Sequence, residues 1–470
     1  MRVHSGLLLL AAVFGAAIVL AGGSLLLSPP LPLIIHAGFD RDSISPDADG
    51  ENDIAVFEYR LSRPATVDIS LTAEDGKTFF FRKGQARKAE AYSVLFSGVV
   101  DGFLLDGETF IGHVERRLLP QGTYNWKLNA RTASGEDVNA SGHLDIQPGD
   151  FPLPVMSTFT VSPSVFSPNQ DGVDDRVQIN IYLETDVKSL DVYLVDSAGV
   201  RIPISARVEE RNYGEAGRHR FDYEGGIDLG VDPPPDGTYE VLALAQDAVG
   251  QRIRQETSLT IETGGKPYAE ISPQAIGVDV AFDVWPYEDR YFTSRDYAGD
   301  LLQLPEDSES LAYSQQITIP KGEMLVFRLT VENYGDVPIR TSGPPPGTVY
   351  QQEQQAATLG MFDESGAWRI GIQCSTSQAS YPYRWAIAAA DKLVEVFDEA
   401  SGNTYSYLPS KERAVVWGAI RMTTIEARNP QNCWAGLIHE DVAISLRNNH
   451  VGVRSIMMVD PGDSASDLDG

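Results

Sequence analysis

Two short phrases concentrate the oxygen donors of this chain. The first is Ser45-Pro46-Asp47-Ala48-Asp49-Gly50-Glu51-Asn52-Asp53, and the second is Ser167-Pro168-Asn169-Gln170-Asp171-Gly172-Val173-Asp174-Asp175. Asp47, Asp49 and Asp53, and likewise Asn169, Asp171, Asp174 and Asp175, set carboxylate and amide oxygens on a tight turn. Ca²⁺ takes six to eight hard oxygens, and closely spaced carboxylates around a glycine are one way to gather them. The flanks carry no helical pattern, so the EF-hand form of that chemistry does not apply. The same residues have a second use. Asn and Asp side chains bond their own backbone, and Ser-Pro fixes the chain entry, which makes each phrase a self-capped turn without a metal.

A second set of candidates lies towards the C-terminus. Tyr381-Pro382-Tyr383-Arg384-Trp385 places three aromatic rings beside a guanidinium, and four of the six tryptophans lie beyond residue 316. Exposed, Tyr350, Tyr381 and Trp385 would form a stacking platform for a sugar ring or a proline-rich peptide; buried, they are sandwich core. Cys374 and Cys433 are the two cysteines of the chain. In an oxidising compartment their disulfide would be worth about 4 kcal/mol in the chain-entropy model; the alternative is two separate buried thiols. The seven histidines have no metal-ligand spacing. Neither a Gly-x-Ser-x-Gly nucleophile phrase nor a phosphate loop is present. His439-Glu440-Asp441 is read as a solvated edge, and a deep pocket gathering Glu440, Arg384 and His439 is what a hydrolase would need. The expectation is therefore a chain without enzymatic activity.

The elements that must position these residues are strands. After the first phrase, Ile54, Val56 and Tyr59 and then Val67, Ile69 and Leu71 alternate with polar residues; after the second, Val177, Ile179 and Ile181 and then Leu190, Val192 and Leu194 do the same. Period-two alternation is the mark of half-buried strands. Each copy closes on a similar phrase, Pro120-Gln121-Gly122-Thr123-Tyr124 and Pro235-Asp236-Gly237-Thr238-Tyr239. Gly (42) and Pro (28) are abundant, which suits turn-rich β structure. Two tandem β-sandwiches follow.

On these residues the stretch 38–263 resembles the immunoglobulin-like domain of flagellar hook-capping proteins. It also looks like the sandwich modules near the ends of bacterial cell-surface and gliding-motility proteins. The second copy is the nearer match, with His219-Arg220-Phe221-Asp222-Tyr223-Glu224-Gly225 where such modules carry a Trp-x-Gly strand and Tyr in place of the Trp. The resemblance implies the module, not a flagellar role.

The full expectation is all-β: an N-terminal transmembrane or signal helix followed by three sandwiches. Residues 1–37 are a signal peptide or anchor, 38–150 and 151–263 the two immunoglobulin-like units, 264–315 a connecting segment and 316–470 a divergent third sandwich. The uncharged run 5–28 is long enough to span a bilayer, and Arg2 before it orients the bulk outward. A single-pass membrane protein is thus expected, with secretion after signal cleavage as the alternative. The formal charge of −29 disfavours nucleic acid as a partner. The expected role is a cell-surface scaffold or adhesion protein whose partner is a cell-envelope protein or a glycan; a carbohydrate-binding or envelope-assembly module is the alternative. Ca²⁺ is the one cofactor in view.

Overall fold

The computed structural model describes residues 13–14, 31–149, 151–205, 214–275, 277–296, 299–306 and 316–461. From residue 31 onward the described regular structure is β-strand, with short 3₁₀ turns. No helix among the described residues is long and apolar enough to cross a membrane. The single-pass location expected above is therefore withdrawn. Apart from Val13 and Phe14, the apolar run 5–28 that suggested it lies outside the described residues.

The two copies of the repeat fold alike. In the first, Ile34–Phe39, Ala55–Leu61 and Ala91–Phe96 form one antiparallel sheet. It packs on a sheet built on Ala65–Thr72, Gly122–Arg131 and Asp137–Ile146. In the second, Met156–Ser162, Val177–Leu183 and Gly217–Tyr223 repeat the first sheet, and Ser189–Val195, Gly237–Gln246 and Arg252–Ile261 repeat the second. Even the short parallel pairing is shared: Ser43–Ile44 lies beside Asp145–Ile146, and Val165–Phe166 beside Thr260–Ile261. Alternation puts Phe57, Ile69 and Leu128 into the first core and Ile179, Leu194 and Val241 into the second. The Gly-Thr-Tyr phrases have a common purpose. Tyr124 donates to the carbonyl of Pro120 at 2.9 Å, and Tyr239 to that of Pro235 at 2.7 Å. Each tyrosine thus ties the start of its strand to the corner before it.

The units are joined through sheets. Val99–Asp101 and His113–Leu118, an excursion of the first copy, add to the outer side of Arg252–Ile261 in the second. One sheet therefore runs across both units. Leu118 N–H donates to Gln251 Oε1 at 3.1 Å, and Arg252 pairs with Glu115 at 2.7 Å.

The third unit begins earlier than the sequence suggested. Residues 264–315, expected as a connecting segment, supply Ala269–Ser272 and Val280–Trp285, both paired with Met324–Asn333. Ile271, Val280 and Phe282 enter its core. Their mixed polarity hid them, because each strand is short and only part of it faces inward. The opposing sheet of the unit runs from Gln316–Pro320 through Val451–Val459, Gln431–His439, Trp368–Cys374, Ile339–Thr341 and Asn403–Leu408 to Val394–Asp398. Val442–Leu446 forms one isolated bridge at Ala443 and then a 3₁₀ turn.

Candidate functional sites

The two Asp-rich phrases take one backbone shape. Left-handed φ occurs at Ala48, Gly50 and Asn52 (58°, 91°, 59°) and again at Gln170, Gly172 and Asp174 (58°, 83°, 49°). Such a path costs energy for residues with a Cβ, so something must hold it. The last aspartate does. Asp53 accepts the amides of Asp47, Ala48 and Gly50 at 2.8–3.0 Å. Asp175 accepts those of Asn169, Asp171 and Gly172 at 2.6–3.3 Å. The intervening side chains cap two residues onward: Asp47 takes Asp49 N–H and Asp49 takes Glu51 N–H, as Asn169 takes Asp171 N–H and Asp171 takes Val173 N–H. The turn is complete without a metal.

The surroundings of the two turns differ. The first faces solvent, and the ligating atoms of Asp47, Asp49 and Asp53 lie within 4.8 Å of one another. In the second, the matching triad is Asn169, Asp171 and Asp175, one carboxylate fewer, and the third unit covers it. Arg340 Nε donates to the Asp171 carbonyl, and Tyr407 Oη to Asp171 Oδ2 at 2.9 Å. The His439 ring bonds the Gln170 carbonyl through Nε2 at 2.7 Å and stacks on Trp368 at 4.3 Å. Gly366 lies against the Asp171–Gly172 backbone so closely that a Cβ there would be 2.2 Å from the Asp171 carbonyl carbon. The second turn thus spends acceptors on an arginine, a tyrosine and a histidine, whereas the first turn meets no other unit among the described residues.

Burial tunes this joint. It pushes the Asp171 carboxyl up, and it raises Asp175 to about 6, with the neighbouring Asp171 adding to the effect. It pushes the Tyr407 hydroxyl up as well. His439 is driven down to about 4 by the same desolvation, against the help of its backbone partners. At neutral pH the joint therefore holds a neutral imidazole.

The aromatic candidates do not assemble a platform. Tyr350, Tyr381 and Trp385 are 0–2% exposed. A stacking surface must present a ring face to solvent, and these rings face neighbours. Trp385 packs edge-on against Phe327 and Tyr350 and donates to the Thr348 carbonyl at 2.9 Å. Tyr350 donates to the Arg384 carbonyl, and Tyr381 to Asn449 Oδ1. The sugar or peptide platform is corrected: Tyr350 and Trp385 are sandwich core, and Tyr381 packs in a smaller cluster with Trp434 and Ile438. Arg384, Glu440 and His439 do not converge either. Glu440 is bound by Arg384 at 2.7 Å with Arg369 beside it at 3.5 Å, while His439 turns to the Gln170 carbonyl. His439 and Glu440, read as a solvated edge, are 5% exposed. Cys374 and Cys433 form a disulfide between register partners on adjacent strands. Sequence reasoning missed Arg340 and Tyr407, each of which reaches Asp171 in another unit; no local pattern announces such a contact.

No protein-family model matches the chain, and no curated protein matches it. Among solved structures, a tetra-tandem repeat from the extending region of a large adhesion protein is 11% identical, over 86% of this chain and 81% of its own, at a TM-score of 0.16. A Ca²⁺-stabilised adhesin that helps an Antarctic bacterium reach out and bind ice is 13% identical over 83% and 73%, at 0.19. Latent PorU from Porphyromonas gingivalis is 9% identical over 90% and 32%, also at 0.19. Superpositions this weak carry no argument, so the functional reading rests on the geometry above.

Proposed function

We propose that this chain is a non-catalytic scaffold of the adhesion type, working outside the cytoplasm, in which two immunoglobulin-like units carry the third sandwich on a fixed arm. The carrying observation is the joint between the second and third units, where Arg340, Tyr407 and His439 grip the 169–175 turn. A flexible tether would not bury a carboxylate, a guanidinium and an imidazole together. The sheet shared by the first and second units supports the same reading. The Cys374–Cys433 disulfide supports an oxidising compartment. The hook-capping resemblance contributes the module only. Ca²⁺ belongs to this proposal solely at Asp47, Asp49 and Asp53.

Gly366→Ala tests it. Gly366 has φ +79°, and the added Cβ would strike the Asp171 backbone, which cannot swing aside. Small-angle scattering of the full chain should give one fixed shape for the natural protein and a broader distribution for the variant. A natural chain already as dispersed as the variant would remove the scaffold reading.

A further inference from the structure

We propose that the cleft between the second and third units captures an extended, basic and apolar segment of a partner protein, added as a strand to the edge Val394–Asp398. This goes beyond the scaffold reading by giving the arm a docking site, and it rests on that reading because the two walls of the cleft belong to different units.

The cleft has a volume of about 570 Å³. One wall is a face of the hairpin Val394–Asp398/Asn403–Leu408, on which Val394, Val396 and Tyr405 stand together through the register pairs Val394–Tyr407 and Val396–Tyr405. Val165, Val173 and Glu262 of the second unit form the other. Val394–Asp398 is the last strand of its sheet, so among the described residues its outer backbone groups have no strand to pair with. Proteins normally guard such an edge with lysine, proline or a bulge. This one carries Val-Glu-Val-Phe-Asp, with Val394, Val396 and Phe397 52%, 48% and 62% exposed.

Charge identifies the occupant. Asp171, Asp174, Glu262, Asp398 and Glu399 line the cleft, and among the described residues no lysine, arginine or histidine does. A lipid phosphate or an acidic glycan would be repelled, and a second copy of a chain with a formal charge of −29 is a poor partner. An extended peptide fits both features. Its backbone completes the open ladder, and side chains at every second position enter the cleft. Valine-like residues there meet Val165, Val173 and Val396, and lysine or arginine two positions away meets the carboxylates. The chain already uses this device once, where His113–Leu118 completes the sheet of the second unit.

The test uses the full chain and a fluorescent ten-residue peptide, Val-Thr-Lys-Thr-Val-Thr-Lys-Thr-Val-Thr, whose Val and Lys side chains share one face of the strand, read by anisotropy. The expected result is saturable binding, weakened at least tenfold by Val396→Lys, a surface change that leaves the scattering profile intact. A peptide with proline at alternate positions should bind at least tenfold more weakly, and one with Glu for Lys should not bind. Absence of binding by the natural chain overturns the proposal. So does equal binding of the proline peptide or of the Val396→Lys protein, either of which reduces the effect to general attraction of a cation to an acidic surface. These outcomes leave the scaffold reading untouched, since that is decided by the scattering of Gly366→Ala.

Discussion

Replacing His439 by glutamine changes how the stability of the third unit responds to acid. The imidazole is 5% exposed, lies against Trp368, bonds the Gln170 carbonyl and feels the Arg340 guanidinium. Its pKa falls from an ordinary 6.5 to about 4. Between those values the unfolded chain takes up a proton that the folded chain refuses, so stability is lost as the pH drops. At about 1.4 kcal/mol per pH unit, the natural protein loses about 3 kcal/mol from this group between pH 7 and pH 4. Asp175 acts with the opposite sign. Its pKa rises from 3.8 to about 6, so the folded chain holds a proton that the unfolded one releases. Stability from this group is gained on acidification, again by about 3 kcal/mol over the same window. Asp171, also raised, adds to the carboxylate side. Glutamine keeps an N–H for the Gln170 carbonyl but cannot titrate. His439→Gln should therefore gain stability relative to the natural chain by about 3 kcal/mol on going from pH 7 to pH 4, and Asp175→Asn should lose a similar amount. Urea unfolding followed by tryptophan fluorescence reads this directly, because five of the six tryptophans, all but Trp126, lie in residues 264–470. Parallel pH profiles for the natural chain and His439→Gln would refute the reasoning.

Glu440→Gln should destabilise the third unit by about 3–5 kcal/mol, because Arg369, fully buried, and Arg384 then lose their buried counter-charge; denaturant titration at pH 7 measures it. Reducing the Cys374–Cys433 disulfide, which closes a separation of 59 residues, should cost about 4 kcal/mol in the same unit, seen as a lower melting temperature with dithiothreitol that Cys374→Ala/Cys433→Ala reproduces without it. Calcium at millimolar concentration should slow amide exchange at residues 47–53 and leave 169–175 unchanged; Asp49→Asn should abolish the effect, and equal protection of both turns would contradict the assignment.

Much of this fold was legible because its strands obey local rules. Ile179 and Ile181 alternate with polar neighbours, and the repeated Ser-Pro phrase marked two units whose topologies match apart from the Val99–Asp101 and His113–Leu118 excursion of the first. What escaped was set by contacts distant in sequence. Ala269–Ser272 and Val280–Trp285 look unremarkable until Met324–Asn333 pairs with both. The dense aromatic run around Trp385 suggested a surface, yet large rings fill a sandwich core as readily as they line a platform. Composition cannot separate the two; only the packing of Phe327 and Tyr350 against that indole does.

The same limit explains the Asp-rich turns, and it shows how one local structure can serve two ends. Asp53 and Asp175 each hold three amides of their own turn, so each phrase folds without help from outside. That self-sufficiency frees the outward side chains and carbonyls for other uses. At the first turn Asp47, Asp49 and Asp53 form a compact group of three carboxylates, Asp49 exposed and the other two half-buried. At the second, Asn169 replaces the position of Asp47, which lowers the charge that must be buried, and the Gln170 and Asp171 carbonyls become acceptors for His439 and Arg340. The repeat therefore encodes the turn, and the difference between Asp47 and Asn169 accompanies the change from a solvent-facing loop to a socket for the next unit. Asn169→Asp tests that step. A third carboxylate in the covered turn, beside Asp171 and Asp175 whose pKa values are already raised, should loosen the joint at pH 8 more than at pH 5. Scattering profiles of this variant that do not change with pH would show that the charge count of the turn does not govern docking.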